Sequence, residues 1–169
     1  MLAFVTVGTF EFDLLVQTVL SDAVLLALRN RGYSSLVVQC GNSAFEFASA
    51  VAGGQTVTLE RHDVRVELWK SKGALDAEYR HADLVIGHAG AGTILEVLRL
   101  RKPLIVVPNP TLLHNHQLEL ARALGPYLAT SSIDKLADTV AAFDPAALRE
   151  FPPFDGSRFR ALVDDEMGF

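Results

Sequence analysis

Short apolar runs alternate with longer amphipathic segments along the whole chain. The runs show no helical period, so they predict buried strands. These predicted strands lie at 2–7, 36–40, 56–59, 64–69, 84–87, 104–107 and 127–130. Near-continuous apolar strands are typical of a parallel sheet that is covered on both faces.

The segments between these runs place apolar residues at helical spacing. The predicted helices lie at 12–30, 73–80, 92–100, 115–124 and 133–143. Arg31-Gly32 is expected to cap the first helix, whereas the pattern at 44–54 fits a short helix or a loop. Strands joined by helical crossovers predict an α/β fold, a single Rossmann-like domain with a mainly parallel sheet over 1–143. A tail that contains proline and phenylalanine follows over 144–169.

Polar residues and glycines collect where the predicted strands end. Gly8-Thr9, Gly41-Asn42, the turn at 88–93 and the segment at 108–117 each follow a strand. The carboxyl ends of parallel strands share the edge at which open α/β sheets bind ligands. We therefore expect these segments to lie around one site.

The turn at 88–93 carries the clearest chemical signal. It consists of His88, Ala89, Gly90, Ala91, Gly92 and Thr93, and it leads from a strand into a helix. The first N–H groups of a helix attract anions, and glycine lets a phosphate approach the backbone. Thr93 adds a hydroxyl donor, and Glu96, one turn further, can accept hydrogen bonds from a ribose diol. The alternative is that the glycines only allow tight packing, since the dinucleotide spacing Gly-x-Gly-x-x-Gly is missing.

A second polar group follows the strand at 104–107. Asn109 comes directly after it, and Asn115, His116 and Gln117 open the next helix. Amide and imidazole groups at this position can bind several sugar hydroxyls. Alternatively, Asn115 is an N-cap and His116 a surface residue. In combination with the turn at 88–93, a nucleotide-sugar site is the better interpretation.

Composition narrows the class of partner. Half of the 169 residues are hydrophobic and mean hydropathy is +0.26, which indicates an extra apolar surface for a partner. A net charge of −5 argues against nucleic acid as a partner. The single Cys40 excludes an internal disulfide, suits a reducing compartment and is expected to be a buried strand residue. Neither a signal peptide nor a run of 18 apolar residues is found, so the chain is expected to be cytoplasmic.

Four motifs in one order resemble a known family. They are FVTVGT at 4–9, DLVIGHAGAGT at 83–93, KPLIVV at 102–107 and NHQLELA at 115–121. The family is that of the small catalytic subunit of the eukaryotic UDP-N-acetylglucosamine transferase of dolichol-linked oligosaccharide synthesis, and the resemblance runs from about Phe4 to Ser132. Phe10 departs from the family pattern, which has a small hydroxyl residue there. The bacterial lipid II GlcNAc transferase carries related features in its C-terminal half.

The resemblance implies half of an active site. The family's subunit is equivalent to the C-terminal, donor-binding half of a GT-B glycosyltransferase, and a separate membrane-anchored subunit supplies the acceptor half. The tail at 144–169 would then contact that partner in a heterodimer, and the partner would recruit this chain to the cytosolic face of the endoplasmic reticulum. His62 and His81 lie in charged surroundings and are interpreted as surface or capping residues.

The resemblance also implies the reaction, transfer of GlcNAc from UDP-GlcNAc to dolichol-diphosphate-GlcNAc with inversion, which makes a β1,4 bond. The implied donor site comprises Gly8, Thr9, the turn from His88 to Thr93, Glu96, Asn109, Asn115, His116 and Gln117. No cofactor is implied, and the lack of an Asp-x-Asp motif agrees with a reaction that needs no metal. His88 is the candidate base within this chain, although the partner subunit is the favoured source.

Three other functions remain open on the sequence. A non-catalytic nucleotide-sugar sensor or scaffold would bind UDP-GlcNAc without transferring the sugar. A self-sufficient glycosyltransferase acting as a homodimer would turn over alone. An NAD-dependent oxidoreductase is the weakest alternative, because the fingerprint spacing is missing.

Overall fold

A seven-stranded sheet forms the centre of the domain. The computed structural model describes residues 1–111, 116–153, 155 and 157, and of His116 only the backbone. The strands are β1 (Leu2–Thr6), β2 (Ser35–Gln39), β3 (Val57–Arg61), β4 (Val64–Trp69), β5 (Leu84–His88), β6 (Leu104–Val107) and β7 (Ala129–Thr130). Their order across the sheet is β3-β4-β2-β1-β5-β6-β7, and every neighbouring pair is parallel except β3 and β4. The predicted α/β fold with a mainly parallel sheet is confirmed.

Helices cover both faces of the sheet. They are α1 (Asp13–Val19), α2 (Asp22–Asn30), α3 (Ala48–Ala52), α4 (Asp76–His81), α5 (Ala91–Arg99), α6 (His116–Ala123) and α7 (Leu136–Ala142), with 3-10 turns at Ile133–Lys135 and Pro145–Ala147. Side chains of α1, α2, α3 and α7 pack on one face, and those of α4, α5 and α6 pack on the other. Both faces are therefore apolar, which explains why the strands read as unbroken hydrophobic runs.

Successive residues of β1 belong to opposite faces. Ala3 and Val5 lie in the core beneath α1 and α2, whereas Phe4 stacks on Trp69 at 6.0 Å between ring centroids and meets Tyr79 edge to face at 5.7 Å. Cys40 is fully buried as expected, and burial raises the pKa of its thiol to about 12. A neutral buried thiol of this kind packs as a small apolar side chain.

The single helix predicted over 12–30 is wrong, because the structure contains two. The α1 helix ends at Val19, and α2 begins at Asp22 after Ser21, which has an extended backbone (ψ 151°). The Thr18 carbonyl accepts from the Ser21 hydroxyl at 2.7 Å and from the Ser21 N–H at 3.1 Å, so Ser21 closes the last turn of α1. Apolar spacing continues through the break because both helices bury residues against the same core.

Strands β3 and β4 form an antiparallel hairpin at the edge of the sheet. Its two-residue turn consists of His62 and Asp63, both with positive φ (53° and 56°), as hairpin turns of this length favour. His62 Nε2 lies 2.8 Å from Asp22 Oδ1, so this histidine is a surface contact, as predicted. His81 is likewise exposed, and its Nδ1 lies 2.6 Å from the Ala77 carbonyl oxygen at the end of α4.

The beginning of the tail packs on the domain itself. Phe151 meets Tyr127 edge to face at 5.3 Å between ring centroids, and Glu150 pairs with Arg101 at 2.7 Å. The Arg149 N–H donates to the Pro126 carbonyl at 2.8 Å. These contacts hold the chain up to Phe151 against the end of the sheet opposite the carboxyl ends of the strands. The predicted partner contact of the tail stays a prediction, and most of 154–169 lies outside the described residues.

The chain changes direction between β1 and β5. From β1 it builds outward through β2 and the hairpin, and it then returns to place β5 on the other side of β1. Open α/β sheets bind ligands at this kind of switch point, at the carboxyl ends of the strands. The Gly8-Thr9 turn follows β1 and the turn at 89–90 follows β5, so both flank the crevice.

Candidate functional site: a glycine-lined crevice at the sheet switch point

The His88 ring lies between two glycines. A Cβ atom built on Gly8 would come within 2.5 Å of His88 Cε1, and one built on Gly90 would overlap the same ring near Nε2. Real Cβ atoms do not approach that closely, so both positions require glycine as long as the imidazole stays in place. Residues 80 positions apart in the sequence thus form one packed unit at the end of the crevice.

Burial sets the protonation state of His88. The side chain is only 7% exposed, and Nδ1 is buried without a hydrogen bond of good geometry. Desolvation lowers the pKa of the imidazole, an effect that the neighbouring Thr6 backbone partly opposes. His88 is therefore neutral at pH 7, and its neutral ring fills the space between the two turns.

The buried His88 should make stability depend on pH in a predictable direction. Because its pKa is lower in the folded chain than the value of 6.5 for a free side chain, the unfolded chain binds more protons as pH falls below 6.5. The free energy of unfolding should then decrease on acidification, with a slope of at most about 1.4 kcal/mol for each pH unit from this group. Urea unfolding between pH 7.5 and 5 measures the slope.

Two variants separate His88 from the other titrating groups. His88→Gln should flatten the slope below pH 6.5, and His81→Gln, which replaces an exposed histidine, is the matched control for the substitution itself. An unchanged slope in His88→Gln would show that the imidazole does not carry the dependence.

The first turn of α5, which follows the carboxyl end of β5, has open backbone N–H groups. The Ile94 N–H donates to the Gly90 carbonyl at 3.0 Å as the first helical bond, so the N–H groups of residues 91–93 have no acceptor within the helix. Gly92 is exposed, and a Cβ atom built on it would meet nothing within 4 Å. In contrast to Gly8 and Gly90, Gly92 is not required for packing inside the chain, so it leaves an open approach to helix N–H groups, which attract anions.

A buried polar network, which the sequence pattern did not reveal, underlies both turns. Gln39, Thr6 and the Gly8 backbone are joined by hydrogen bonds of 2.6 to 3.1 Å. The Tyr79 hydroxyl interacts with the side chains of Thr6 and Thr93, and burial raises the pKa of this phenol. Polar residues inside apolar strand runs were the available signal, because a buried polar group needs a partner.

A cavity of about 670 Å³ opens beside the Gly8-Thr9 turn. Its lining includes Thr9, Phe10, Asn42, Asn109 and Thr111. Asn42, which the sequence placed at this edge, therefore lines the cavity, whereas residues 88–93 are not part of its lining. The open space is large enough for a small-molecule ligand.

The predicted residue Asn109 is 7% exposed, and its side chain organises this rim. Its Oδ1 accepts from the Thr111 N–H at 3.0 Å and from the Thr111 hydroxyl at 2.8 Å, while Nδ2 donates to the Glu11 carbonyl at 3.4 Å. The side-chain Oε1 of Gln117 accepts from the Asn109 N–H at 2.8 Å. This bond leaves the side-chain Nε2 of Gln117 for other contacts. Both side chains thus lie at the predicted edge and hold the loop after β6.

The other predicted site residues fall elsewhere. Glu96 is exposed and lines a separate cavity of about 390 Å³ together with Tyr79 and Arg99, so the structure does not bring it into the cavity of Thr9 and Asn109. Asn115 lies outside the described residues, as does the side chain of His116. Their proposed roles in binding the donor stay predictions.

In the part of the chain that the structure describes, no group of three His, Cys, Asp or Glu side chains is placed to hold a metal ion. Within the same part, every helix is too short or too polar to cross a bilayer.

The fold is that of a Rossmann-like domain with an open helix N-terminus at the switch point of its sheet. The model of the glycosyltransferase family 28 C-terminal domain matches residues 2–161, so this chain belongs to that family. A solved MurG structure from Acinetobacter baumannii shares the fold with a TM-score of 0.58 at 19% identity, over 86% of this chain and 42% of that one. The predicted equivalence to the C-terminal half of a GT-B glycosyltransferase is confirmed.

Several relatives carry the name "UDP-N-acetylglucosamine transferase subunit ALG13". The protein from Cryptococcus neoformans var. neoformans serotype D is 33% identical over an alignment 193 residues long, gaps included. The alignment covers 98% of this chain and 96% of that protein. The Mus musculus protein is 40% identical over 124 residues, 72% of this chain but only 10% of the mouse protein. A solution NMR structure of ALG13 superposes with a TM-score of 0.66 at 26% identity, over 96% of this chain and 94% of that one. The family resemblance predicted from the motifs is confirmed.

Proposed function

We propose that this chain is the donor-binding subunit of a heteromeric N-acetylglucosaminyltransferase. It transfers GlcNAc from UDP-GlcNAc to dolichol-diphosphate-GlcNAc with inversion, and a membrane-anchored subunit supplies the acceptor half and recruits the chain to the cytosolic face of the endoplasmic reticulum. The observation that carries the proposal is the open first turn of α5 at the switch point, beside the unit of Gly8, His88 and Gly90. The names of the relatives support the sugar and the existence of a partner subunit.

The geometry suits a diphosphate leaving group. The free N–H groups of residues 91–93 and the dipole of α5 stabilise negative charge as UDP departs, and the exposed Gly92 leaves room for phosphate oxygens. Thr93 lies on the same turn, half-buried. In this proposal these groups bind the charge that develops on the donor, while Glu96, Asn115, His116 and Gln117 contact the ribose and the sugar.

Inversion requires one displacement at the anomeric carbon. The 4-hydroxyl of the acceptor forms the new bond as the bond to UDP breaks, and a base removes the hydroxyl proton. His88 is neutral, but its ring is enclosed by Gly8 and Gly90. We therefore assign His88 to holding the two turns together, and the base to the partner subunit.

Transfer of radiolabelled GlcNAc from UDP-GlcNAc to phytanyl-diphosphate-GlcNAc tests the proposal. The chain is assayed alone and after co-expression with its membrane-anchored partner, and transfer is expected only with the partner. His81→Gln serves as a control, because His81 is an exposed residue at the end of α4, near the amino end of β5, and this variant should transfer normally. UDP-GlcNAc at 100 times its Kd should also add about 2.7 kcal/mol to the free energy of unfolding.

Each other result contradicts the proposal in a different way. Transfer by the chain alone would identify a self-sufficient enzyme. Binding of UDP-GlcNAc without transfer, even with the partner present, would identify a sensor or scaffold. If UDP-GlcNAc does not raise the free energy of unfolding, the chain has no binding site for this donor.

A further inference from the structure

One side-chain amide, that of Gln39 at the end of β2, makes four hydrogen bonds. Its Oε1 accepts from the Thr6 hydroxyl at 2.6 Å and from the Gly8 N–H at 3.0 Å. Its Nε2 donates to the Gly8 carbonyl at 2.9 Å and to the Lys70 carbonyl at 3.0 Å. The side chain is 2% exposed, so this buried amide is satisfied entirely by the protein.

Its partners determine the orientation of the amide. The Gly8 N–H can only donate, and the carbonyls of Gly8 and Lys70 can only accept, so exchanging Oε1 and Nε2 would break three of the four bonds. The Thr6 hydroxyl must then donate to Oε1, and it accepts from the Gly8 N–H at 3.1 Å. The backbone N–H of Gly8 is therefore held by Thr6 of β1 and Gln39 of β2, and its carbonyl is held by Gln39.

Gly8 is the residue that needs such support. Its φ is +66°, and because glycine adopts positive and negative φ about equally readily, hydrogen bonds must select this conformation. Gly8 also lies directly against the His88 ring. The position of Gly8 thus decides where the imidazole lies, and the imidazole in turn packs against Gly90 at the start of α5. A path of direct contacts leads from Gln39 through Gly8 and His88 to the turn that precedes the open N–H groups.

We propose that Gln39 is a positioning residue for the nucleotide-sugar donor. It clamps the Gly8 peptide against His88, and it thereby sets the affinity of the crevice for the donor diphosphate without touching the donor. This inference rests on the proposed function, since it concerns the same crevice.

Two replacements of Gln39 and one control test the clamp in the full chain. Gln39→Leu removes all four hydrogen bonds. Gln39→Glu keeps the acceptors for Thr6 and for the Gly8 N–H, but it turns a carboxylate towards the Gly8 and Lys70 carbonyls, where only its protonated form can donate. Val38→Ala, the control, removes a fully buried side chain of the same strand from the core on the other face.

The first readout needs no ligand. Two-dimensional nitrogen–proton spectra of the imidazole report the tautomer and surroundings of His88. Both Gln39 variants should shift the His88 ring signals, and Val38→Ala should leave them in place even where it lowers the unfolding midpoint. Unshifted His88 signals in folded Gln39→Leu would overturn the link between Gln39 and the turn.

The second readout is the Kd for UDP-GlcNAc, together with the KM and kcat of the complex with the partner. Gln39→Leu should weaken binding at least tenfold and raise KM more than it lowers kcat, while Val38→Ala should stay within twofold of the unmodified chain. Relative to the unmodified chain at the same pH, Gln39→Glu should regain affinity as pH falls and its carboxyl group protonates. The recovery is measured on samples that are fully folded at each pH, so that it reports the geometry of the turn and not the fraction of folded chain.

The outcomes separate the two proposals. If the unmodified chain binds UDP-GlcNAc and Gln39→Leu binds it within twofold, the positioning role is wrong while the proposed function stands. If the unmodified chain does not bind UDP-GlcNAc, the proposed function fails, and the donor role of Gln39 fails with it.

Discussion

Replacing Gly8 by alanine should strongly destabilise the chain and abolish binding of UDP-GlcNAc. An L-residue at a φ of +66° costs about 1–2 kcal/mol. The new Cβ atom would lie 2.5 Å from His88 Cε1, and Gly90 on the other side of the ring stops the imidazole from moving away. Overpacking of this kind adds about 1–3 kcal/mol. We expect a total loss of about 2–5 kcal/mol in the free energy of unfolding, measured by urea denaturation.

Gly54→Ala is the matched control for the first variant. Gly54 also has a positive φ (+82°), but a Cβ atom built on it meets nothing within 4 Å. In this control, alanine loses stability only through its unfavourable backbone conformation. The difference in unfolding free energy between the two variants therefore measures the clash with His88. Equal losses of unfolding free energy in both variants would show that the packing between Gly8 and His88 does not contribute to stability.

Replacing Gly92 by alanine should separate stability from binding. Gly92 lies inside α5 with open space around it, and alanine is favoured over glycine in a helix by up to about 1 kcal/mol. The variant should therefore be as stable as the unmodified chain or more so. In contrast, the methyl group would stand where the diphosphate approaches the helix, so the Kd for UDP-GlcNAc should rise at least tenfold, about 1.4 kcal/mol or more.

Ser49→Ala controls for a general effect of helix stabilisation. Ser49 is an exposed residue of α3, so its replacement should stabilise a helix without changing the Kd. Thermal unfolding and titration with UDP-GlcNAc measure both quantities on the same samples. If Gly92→Ala binds the donor as well as the unmodified chain, the glycine serves the geometry of the turn and not the approach of a ligand.

The sequence located the sheet, most of the helices and the sheet edge at which the candidate site is proposed. These features follow from local burial, which the period of apolar residues reports directly. The same signal failed at Ser21, because two helices on one core continue the spacing of a single helix. Motif resemblance added the family, which the match over residues 2–161 confirms.

Within the site, the sequence identified glycines but not the reason for each. Gly90 and Gly92 belong to one motif, yet Gly90 makes room for the His88 ring and Gly92 opens the helix to solvent. Spacing along the chain cannot distinguish these roles. They depend on where the His88 ring lies, and that ring packs against Gly8 at the end of another strand, β1. Glu96 likewise follows the motif by one turn of helix, and only the packing of α4 and α5 places it in a separate cavity.

The sequence by itself thus determined the α/β alternation, the strand ends that carry polar residues and the family to which they belong. The tertiary structure alone decided that Gly8 packs on His88, and that the Gln39 amide holds the Gly8 peptide at 2.9 and 3.0 Å. Periodicity records whether a residue is buried, whereas the partner of a buried polar group depends on strand order. Here the return of the chain to place β5 beside β1 brings residues 8, 39 and 88 together at one edge.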